Sequence, residues 1–350
     1  MNNNSCADKS KVLVIGAGVA GASCARLLRQ AGHAVHVVDK SRGAGGRLAS
    51  KRLEWTDSAG QAHRARVDHG APGFAVDSMD FADFVAPLHA SGLLLAWTPT
   101  QKHTGRPAQN PRPLLVPQPD MPSLCRSLLS DAPATWAFQV DRLQSGADGW
   151  QIEADGVALA QRYDTVVLAV PPAQAAPLLE THVREWARQA LAVGMEPCWT
   201  LLGVAKPPRT PIDWDLAEPA AGPLAKVIRA DARPGRGAGA AQEHWVAHAS
   251  ADWSRAHLEQ PASWVKAALE TALDDCLGEA VTWEHAVVHR WRYARLDRDA
   301  RGSSHLAADE SPCWWHPTLR LGVCGDFLGG GDVEGAWRSA HALGATILSA

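Results

Sequence analysis

Three glycines, Gly16, Gly18 and Gly21, stand at G-x-G-x-x-G spacing, and Asp39 closes the apolar run that follows them. This combination suits a dinucleotide. Gly16 permits a tight turn, Gly18 lets the backbone approach a pyrophosphate, Gly21 lets a helix pack on a strand, and Asp39 accepts from ribose hydroxyls. Ala17 and Ala20 belong to the same turn and helix start, so the first contact set is Gly16, Ala17, Gly18, Ala20, Gly21 and Asp39. The other reading, glycines that only close a strand-to-helix turn, loses ground because the acid follows at the required remove.

Two further segments carry chemistry. In KSRGAGGRLASKR, residues 40–52, Gly45 and Gly46 offer unhindered N–H groups and Arg47 a guanidinium for a second grip on a pyrophosphate, with Lys40 and Arg42 beside them. A solvated cationic loop is the alternative. Near the far end Gly325-Asp326 closes a strand and Val333-Glu334-Gly335-Ala336 opens a helix. Pointed at a flavin pyrimidine, that positive helix end would stabilise the charge that develops as the ring accepts hydride, and Asp326 would hold ribityl hydroxyls. An ordinary strand, loop and helix is the competing reading.

The elements that must position these groups follow from periodicity. Lys11–Ile15 (KVLVI) reads as a doubly buried strand, Ala20 to Ala31 as a helix stopped by Gly32, and Ala34 to Asp39 as a second strand, a complete βαβ unit. Trp136 to Leu143, which includes Val140, reads as a strand. Tyr163 to Val170 reads as a buried strand stopped by Pro171 and Pro172, after which the chain leaves the nucleotide domain. Leu319 to Cys324 is strand-like, Gly325 to Asp332 a glycine-rich loop, and Val333 to Leu348 a helix.

Between these lies a second, α+β domain. Glu243 to Ala249 and Thr282 to Tyr293 alternate as strands, and Ala262 to Leu277 has helical spacing. Proline-rich Pro99 to Pro122 reads as a surface excursion, and Asp231 to Gln242 as a mobile loop. The fold class is α/β: a Rossmann-type domain with a parallel sheet and helices, from 10–80, 119–172 and 317–350, plus a substrate domain with a mainly antiparallel sheet, from 81–118 and 173–316.

Composition narrows the function. The chain has 350 residues, 46% hydrophobic and 20% charged, which is globular and not disordered. With 34 Lys+Arg against 37 Asp+Glu, neither nucleic acid nor an anionic membrane is the expected partner. No apolar run approaches the roughly 20 residues of a bilayer span. Seven scattered cysteines without a C-x-x-C argue against a disulfide framework or zinc site and fit a reducing cytoplasm.

At this point the sequence resembles the renalase-like (bacterial) branch of the FAD-dependent amine oxidase superfamily. The resemblance rests on IGAGVAGASCARLL, VDKSRGAGGRLASKR, VDHGAPGF, VVLAVPPAQAAPLL, HRWRYA and LGVCGDFLGGGDVEGAWRSA, spread over nearly the whole chain in the family's order. It implies one non-covalent FAD, with Val140 on its adenine, His69, Gly70 and Ala71 on the cofactor, and a substrate cavity between the flavin and the second domain's sheet. It also implies oxidation of misreduced dihydronicotinamides (2-/6-dihydro NAD(P)) to NAD(P)+, with O2 reduced to hydrogen peroxide. The flavin carries that chemistry, so side chains need only position and desolvate the substrate.

One departure bears on the substrate. Where relatives read Gly-Ala-Gln-Tyr-Phe, this chain has Gly70-Ala71-Pro72-Gly73-Phe74, which removes an amide and a phenol and is expected to open space. His69 either orients substrate and tunes the flavin or is satisfied by backbone; Trp291 and Tyr293, on one face of a strand, either wall the cavity or pack the core. His285 with His289, and His244 with His248, have metal spacing only on a helix, and strand-like surroundings argue against metal. Cys324 reads as a packed small residue and not as a covalent flavin link.

Three alternatives remain. A flavin amine oxidase on a small amine needs an aromatic cage that two tyrosines, Tyr163 and Tyr293, make hard to build. An NAD-dependent dehydrogenase leaves the Gly325-Asp326 and Val333–Ala336 elements without a ligand. A non-catalytic flavin-binding protein could use the 15 tryptophans as a partner surface.

Overall fold

The computed structural model describes residues 10–103, 112–237, 241–297 and 311–350. Their described parts form two compact units, one from the segments ending at Gly46, Leu124–Gly194 and Leu296–Ala350, the other from Arg47–Ser123 and Met195–Arg295.

In the first unit a six-stranded sheet runs in the order Trp314–His316, Leu321–Val323, Thr165–Leu168, Lys11–Ile15, Ala34–Val38, Ala134–Thr135. Four neighbouring pairs are parallel, and only Trp314–His316 runs antiparallel to its neighbour. The central strands are short and β-branched because both faces are covered, Leu13, Ile15, Val166 and Leu168 clustering with Leu143, Trp150 and Ile152: Val12, Leu13, Val14, Val166, Val167 and Leu168 are fully buried. Helix Val19–Gln30 lies against this sheet through small residues, with Ala22, Cys24 and Ala25 fully buried. A three-stranded antiparallel sheet, Arg142–Gly146, Gly149–Ala154 and Val157–Ala158, completes the unit.

The second unit is built on another six-stranded sheet, in the order Trp283–Leu296, Met195–Ala205, Glu243–Ala249, Leu224–Arg229, Leu216–Glu218, Gln101–His103. Its interior pairs Met195–Ala205 with Glu243–Ala249, and Glu243–Ala249 with Leu224–Arg229, are antiparallel. One face buries Trp199, Leu201, Trp245, Ala247, Ala286 and Val288 with Val265, Leu269 and Leu273 of helix Ala262–Leu277. The i, i+3/i+4 spacing of those three helix residues is the apolar stripe that the sheet demands. By strand alternation His248, His289, Trp291 and Tyr293 occupy the opposite face. The expected α/β class, with one mainly parallel and one mainly antiparallel sheet, is therefore what the chain forms. Glu243–Ala249 and Ala262–Leu277 coincide with the expected elements.

Four local expectations need correction. Val140 is not in a strand: strands occupy Ala134–Thr135 and Arg142–Gly146, because Ala137 turns left-handed (φ 54°) and gives its N–H to Ser41 O, while Phe138 gives its own to Asp39 O. The Gly325 to Asp332 segment is not a plain loop: Asp326–Gly329 is a helical turn, closed by the Gly331 N–H on Asp326 O, and the last helix starts at Asp332. Pro99 to Pro122 is not all surface, since Gln101–His103 and Leu114–Pro117 are strands and Val116 and Met121 are fully buried; residues 104–111 lie outside the described residues. Asp231 to Gln242 opens with a 3₁₀ turn at Ala230–Ala232 and buries Arg233, so its described part is a packed turn; residues 238–240 lie outside the described residues.

The fit of helix Val19–Gln30 gives a direct test. A Cβ on Gly21 would lie 1.9 Å from Gly16 O, whereas one on Gly43 would meet nothing within 4 Å. Gly21→Ala is expected to lower stability by about 1–3 kcal/mol or more through overpacking, and Gly43→Ala to leave it within about 0.5 kcal/mol, by urea unfolding.

Candidate functional site

The first unit has a glycine-lined turn between a buried strand and a helix. Gly16 (φ 110°) follows the buried strand, and a Cβ there would sit 2.3 Å from Ala169 O, so strand, turn and helix approach without side chains. Gly18 is the N-cap of the helix, which has no side-chain cap and no acid in its first turn. The first helical N–H groups therefore have no side-chain acceptor, and the dipole there favours an anion. Above Gly18 a Cβ would meet only Gly46 Cα, at 3.8 Å, and Gly45 N–H donates to Ala17 O at 3.0 Å. Gly16, Ala17, Gly18, Gly45 and Gly46 are therefore brought together as one backbone surface.

Asp39 is locked at the end of its strand. Its Oδ2 accepts the Ala17 N–H at 2.6 Å and its Oδ1 the Ser41 N–H at 2.7 Å. Each carboxylate oxygen keeps further acceptor capacity for a ribose hydroxyl. An anionic pair of phosphates at the helix end and a ribose on Asp39 would fit this donor and acceptor set. Lys40 and Arg42 are exposed side chains at its rim.

The carboxy-terminal set lies in the same unit. Cys324 N–H donates to Leu168 O at 3.0 Å, extending the sheet register, and Gly325 N–H donates to Ser339 Oγ at 2.9 Å. Asp326 is 4% exposed, and Gly329 and Gly335 meet so closely that a Cβ on Gly329 would lie 1.9 Å from Gly335 O. Val333, Glu334, Gly335 and Ala336 form the first turns of helix Asp332–Ser349, whose positive end is shared with the acids Asp332 and Glu334. Glu334 in turn receives Arg338 Nη2 at 3.3 Å. A hydrogen bond with Cys24, together with burial, holds the Cys324 thiol well above its ordinary range, so it stays protonated and a poor nucleophile.

The second unit gathers the remaining predicted residues. Arg47 O accepts the Ala71 N–H at 3.0 Å and Ala49 O the His69 N–H at 3.0 Å, so 47–49 and 69–71 run side by side; a Cβ on Gly70 would lie 2.0 Å from Arg47 O. The His69 ring stacks near Trp291 (centroids 5.1 Å) and meets His289 edge-on (4.8 Å), while His289 and Trp291 stand 4.3 Å apart. His248 Nε2 donates to His69 O at 3.2 Å. Tyr293 continues the same strand face two residues beyond Trp291, and Arg47 Nη1 reaches Ala294 O at 3.5 Å.

This histidine face is neutral at physiological pH. Burial pushes His69 down to about 3, helped by positive charge on His289, Lys51 and His248. Burial pushes His248 to about 4, with Lys226 and Arg233 adding to it, and His289 to about 4, with Lys51 adding to it. His69 Nδ1 is buried without a hydrogen-bond partner among the described residues. His244 and His285, like His248 and His289, lie on strands, where i, i+4 residues do not converge on one ion.

One expectation changes here. Gly73 does not open space: a Cβ there would lie 2.9 Å from Leu114 Cβ, because the paired Phe74 and Leu115 backbones hold Leu114 against it. The main-chain carbonyl of Pro72, a group any residue would supply, accepts Arg233 Nε at 2.9 Å. Sequence reasoning weighed His248 and His289 only as halves of metal-spaced pairs and missed Arg233. His289 was within reach, because it shares the alternation of Trp291 and Tyr293; Arg233 carried only the signal of a Pro-Gly turn.

Known proteins place this architecture. Residues 14–88 match the family model described as NAD(P)-binding Rossmann-like domain. A protein described as a candidate protoporphyrinogen oxidase from Exiguobacterium sp. 255-15 superposes with a TM-score of 0.69 at 10% identity, covering 97% of this chain and 99% of that one. A triple mutant of putrescine oxidase superposes at 0.66 with 16% identity, and cyclohexylamine oxidase from Brevibacterium oxydans IH-35A at 0.62 with 11%, each covering 97% of this chain and 99% of the other. At these identities the likeness is one of fold.

The depressed histidines predict a pH dependence. Between the ordinary value of 6.5 and about 4 the unfolded chain binds a proton on His69 and on His248 that the folded chain refuses. Stability therefore falls as pH drops through that window, by at most about 1.4 kcal/mol per pH unit for each ring. His248→Gln is expected to flatten urea-unfolding free energies against pH by about one proton; an unchanged slope would show that His248 titrates normally.

Proposed function

We propose that the chain is an FAD-dependent oxidase of the renalase type, taking hydride from 2-/6-dihydro NAD(P) to give NAD(P)+ and hydrogen peroxide. The observation that carries the reading is the uncapped helix end at Gly18 facing Gly45–Gly46, with Asp39 fixed beside it. On this reading Gly16, Ala17, Gly18, Ala20, Gly21, Asp39, Gly45 and Gly46 hold the adenosine and pyrophosphate of FAD. Arg42, Arg47, His69, Gly70, Ala71, Val140, Gly325, Asp326 and Val333–Ala336 make the remaining contacts. Bound there, the flavin would accept hydride and pass two electrons to O2.

The chain's own residues position and desolvate. Trp291 supplies a flat apolar face, His69 and His289 present neutral rings that need not gain or lose a proton, and Tyr293 extends the wall. A protonated thiol at Cys324 favours non-covalent cofactor binding. Among the described residues no helix is long and apolar enough to cross a membrane, and six cysteines are free, which supports a cytoplasmic setting.

A flavin amine oxidase is the second reading, favoured by the fold likeness to putrescine and cyclohexylamine oxidases. Burial is the main cause that depresses His69, His248 and His289, and the fixed charges that add to it at neutral pH are those of Lys51, Lys226 and Arg233. A protonated amine would meet that positive potential at a cost, whereas a neutral dihydronicotinamide carrying phosphates would not.

Anaerobic mixing with a borohydride-generated mixture of dihydronicotinamide isomers separates these readings. The visible flavin band is expected to bleach with the isomers and to persist with 4-dihydro NAD(P)H, putrescine or cyclohexylamine. Bleaching by an amine alone would reverse the assignment. Asp39→Ala is expected to purify with little or no flavin, read from the visible absorbance per chain.

A further inference from the structure

Arg233-Pro234-Gly235-Arg236 forms a tight turn: Arg236 N–H donates to Arg233 O at 3.1 Å, and Gly235 has φ 71°, the arrangement that Pro and Gly favour at the two middle positions. Gln118 Nε2 ties the turn down by donating to Pro234 O at 2.8 Å. The two arginines at its ends reach one short segment, Asp68–Pro72. Arg236 donates Nε to Asp68 Oδ2 at 2.9 Å, with Nη2 at 2.8 Å from the same oxygen, and Asp68 Oδ1 accepts from Met121 N–H at 3.2 Å and from Ser50 Oγ. The buried Asp68 carboxylate is thereby saturated and neutralised.

Arg233 is treated differently. It is 1% exposed, its Nε donates to Pro72 O at 2.9 Å and its Nη1 lies 3.5 Å from Asp68 O. Its Nη2 has no hydrogen-bond partner among the described residues, and its guanidinium lies over the Trp97 ring at 5.7 Å. Burial lowers it to about 10, with Arg236 adding to this and the Asp68 and Asp231 carboxylates opposing it, which leaves it cationic at neutral pH. A buried cation whose bonds go to backbone carbonyls costs several kcal/mol that an apolar side chain would avoid. The two carbonyls it holds bracket His69, Gly70 and Ala71.

We propose that Arg233 is a positioning residue, which clamps His69–Ala71 from both ends and keeps a fixed positive charge beside that segment to favour an anionic form of the ligand it meets. This rests on the reading of His69–Ala71 as part of a flavin site. The experiment has two arms, each comparing wild type with Arg233→Met, which loses charge and fork, and Arg233→Lys, which keeps the charge and loses the fork.

The first arm follows hydrogen exchange in the flavin-free protein. Peptides covering 67–73 are expected to exchange at least tenfold faster in both variants, with those covering 243–249 unchanged. The second arm titrates flavin-loaded protein with sulfite, whose lone pair bonds to flavin N5 and leaves the ring anionic. Sulfite is expected to bind at least tenfold more weakly to Arg233→Met and within about threefold of wild type to Arg233→Lys. Unchanged exchange in the variants overturns the clamp, and unchanged sulfite affinity in Arg233→Met, or a wild-type flavin that takes no sulfite, overturns the charge. If Arg233→Met fails to fold, Arg233→Lys decides the clamp by exchange, and Arg233→Gln, which is uncharged, takes the place of Arg233→Met in the sulfite titration, where unchanged affinity overturns the charge. A wild-type protein that takes up no flavin sinks the flavin reading, while exchange still judges the clamp.

Discussion

The first unit depends on backbone approaching backbone where no side chain fits. Gly16 against Ala169 and Gly21 against Gly16 bring helix Val19–Gln30 onto the sheet, and this approach delivers the helix N-terminus to the end of the central strands. Once there, the helix has neither a capping side chain nor an acid to satisfy its first N–H groups. An end built this way is incomplete until an anion arrives. On the proposed reading Asp39, fixed by the Ala17 and Ser41 N–H groups, accepts from the ribose of the nucleotide that brings that anion.

The second unit solves a different problem, that of keeping polar groups buried without freeing charge. His69, His248 and His289 stay neutral because desolvation and nearby cations both oppose their protonation. Asp68 remains buried because Arg236, Ser50 and Met121 satisfy it. The face that results offers flat, uncharged rings on a rigid sheet, a surface suited to a planar substrate whose reaction requires orientation more than proton transfer.

Much of this was legible in the sequence because it is local. The βαβ unit is written in a β-branched run, three glycines and an acid, and helix Ala262–Leu277 in an apolar stripe, all within one turn or strand of each other. What was hidden depends on partners far along the chain. Nothing in Asp231 to Gln242 reveals that Arg233 meets Asp68, 165 positions away, so its Gly- and Ala-rich composition reads as wholly solvated although Arg233 is buried. Val140 was misplaced because the left-handed Ala137 that breaks the strand is a residue that gives no such signal. Gly73 reads as vacant space, yet Leu114 from a proline-rich stretch occupies it. His289 is the instructive middle case: its alternation with Trp291 was visible, but the ring that meets it comes from His69 on another element.

The central claim, that the incomplete helix end and Asp39 are a site for the pyrophosphate and adenosine of FAD, is tested most directly by calorimetric titration of flavin-free protein with FAD, FMN and NAD+. The account predicts that FAD binds at least a hundredfold more tightly than FMN, which lacks the pyrophosphate and adenosine, and more tightly than NAD+. Equal affinity for FAD and FMN, or binding of NAD+ without FAD, would contradict it.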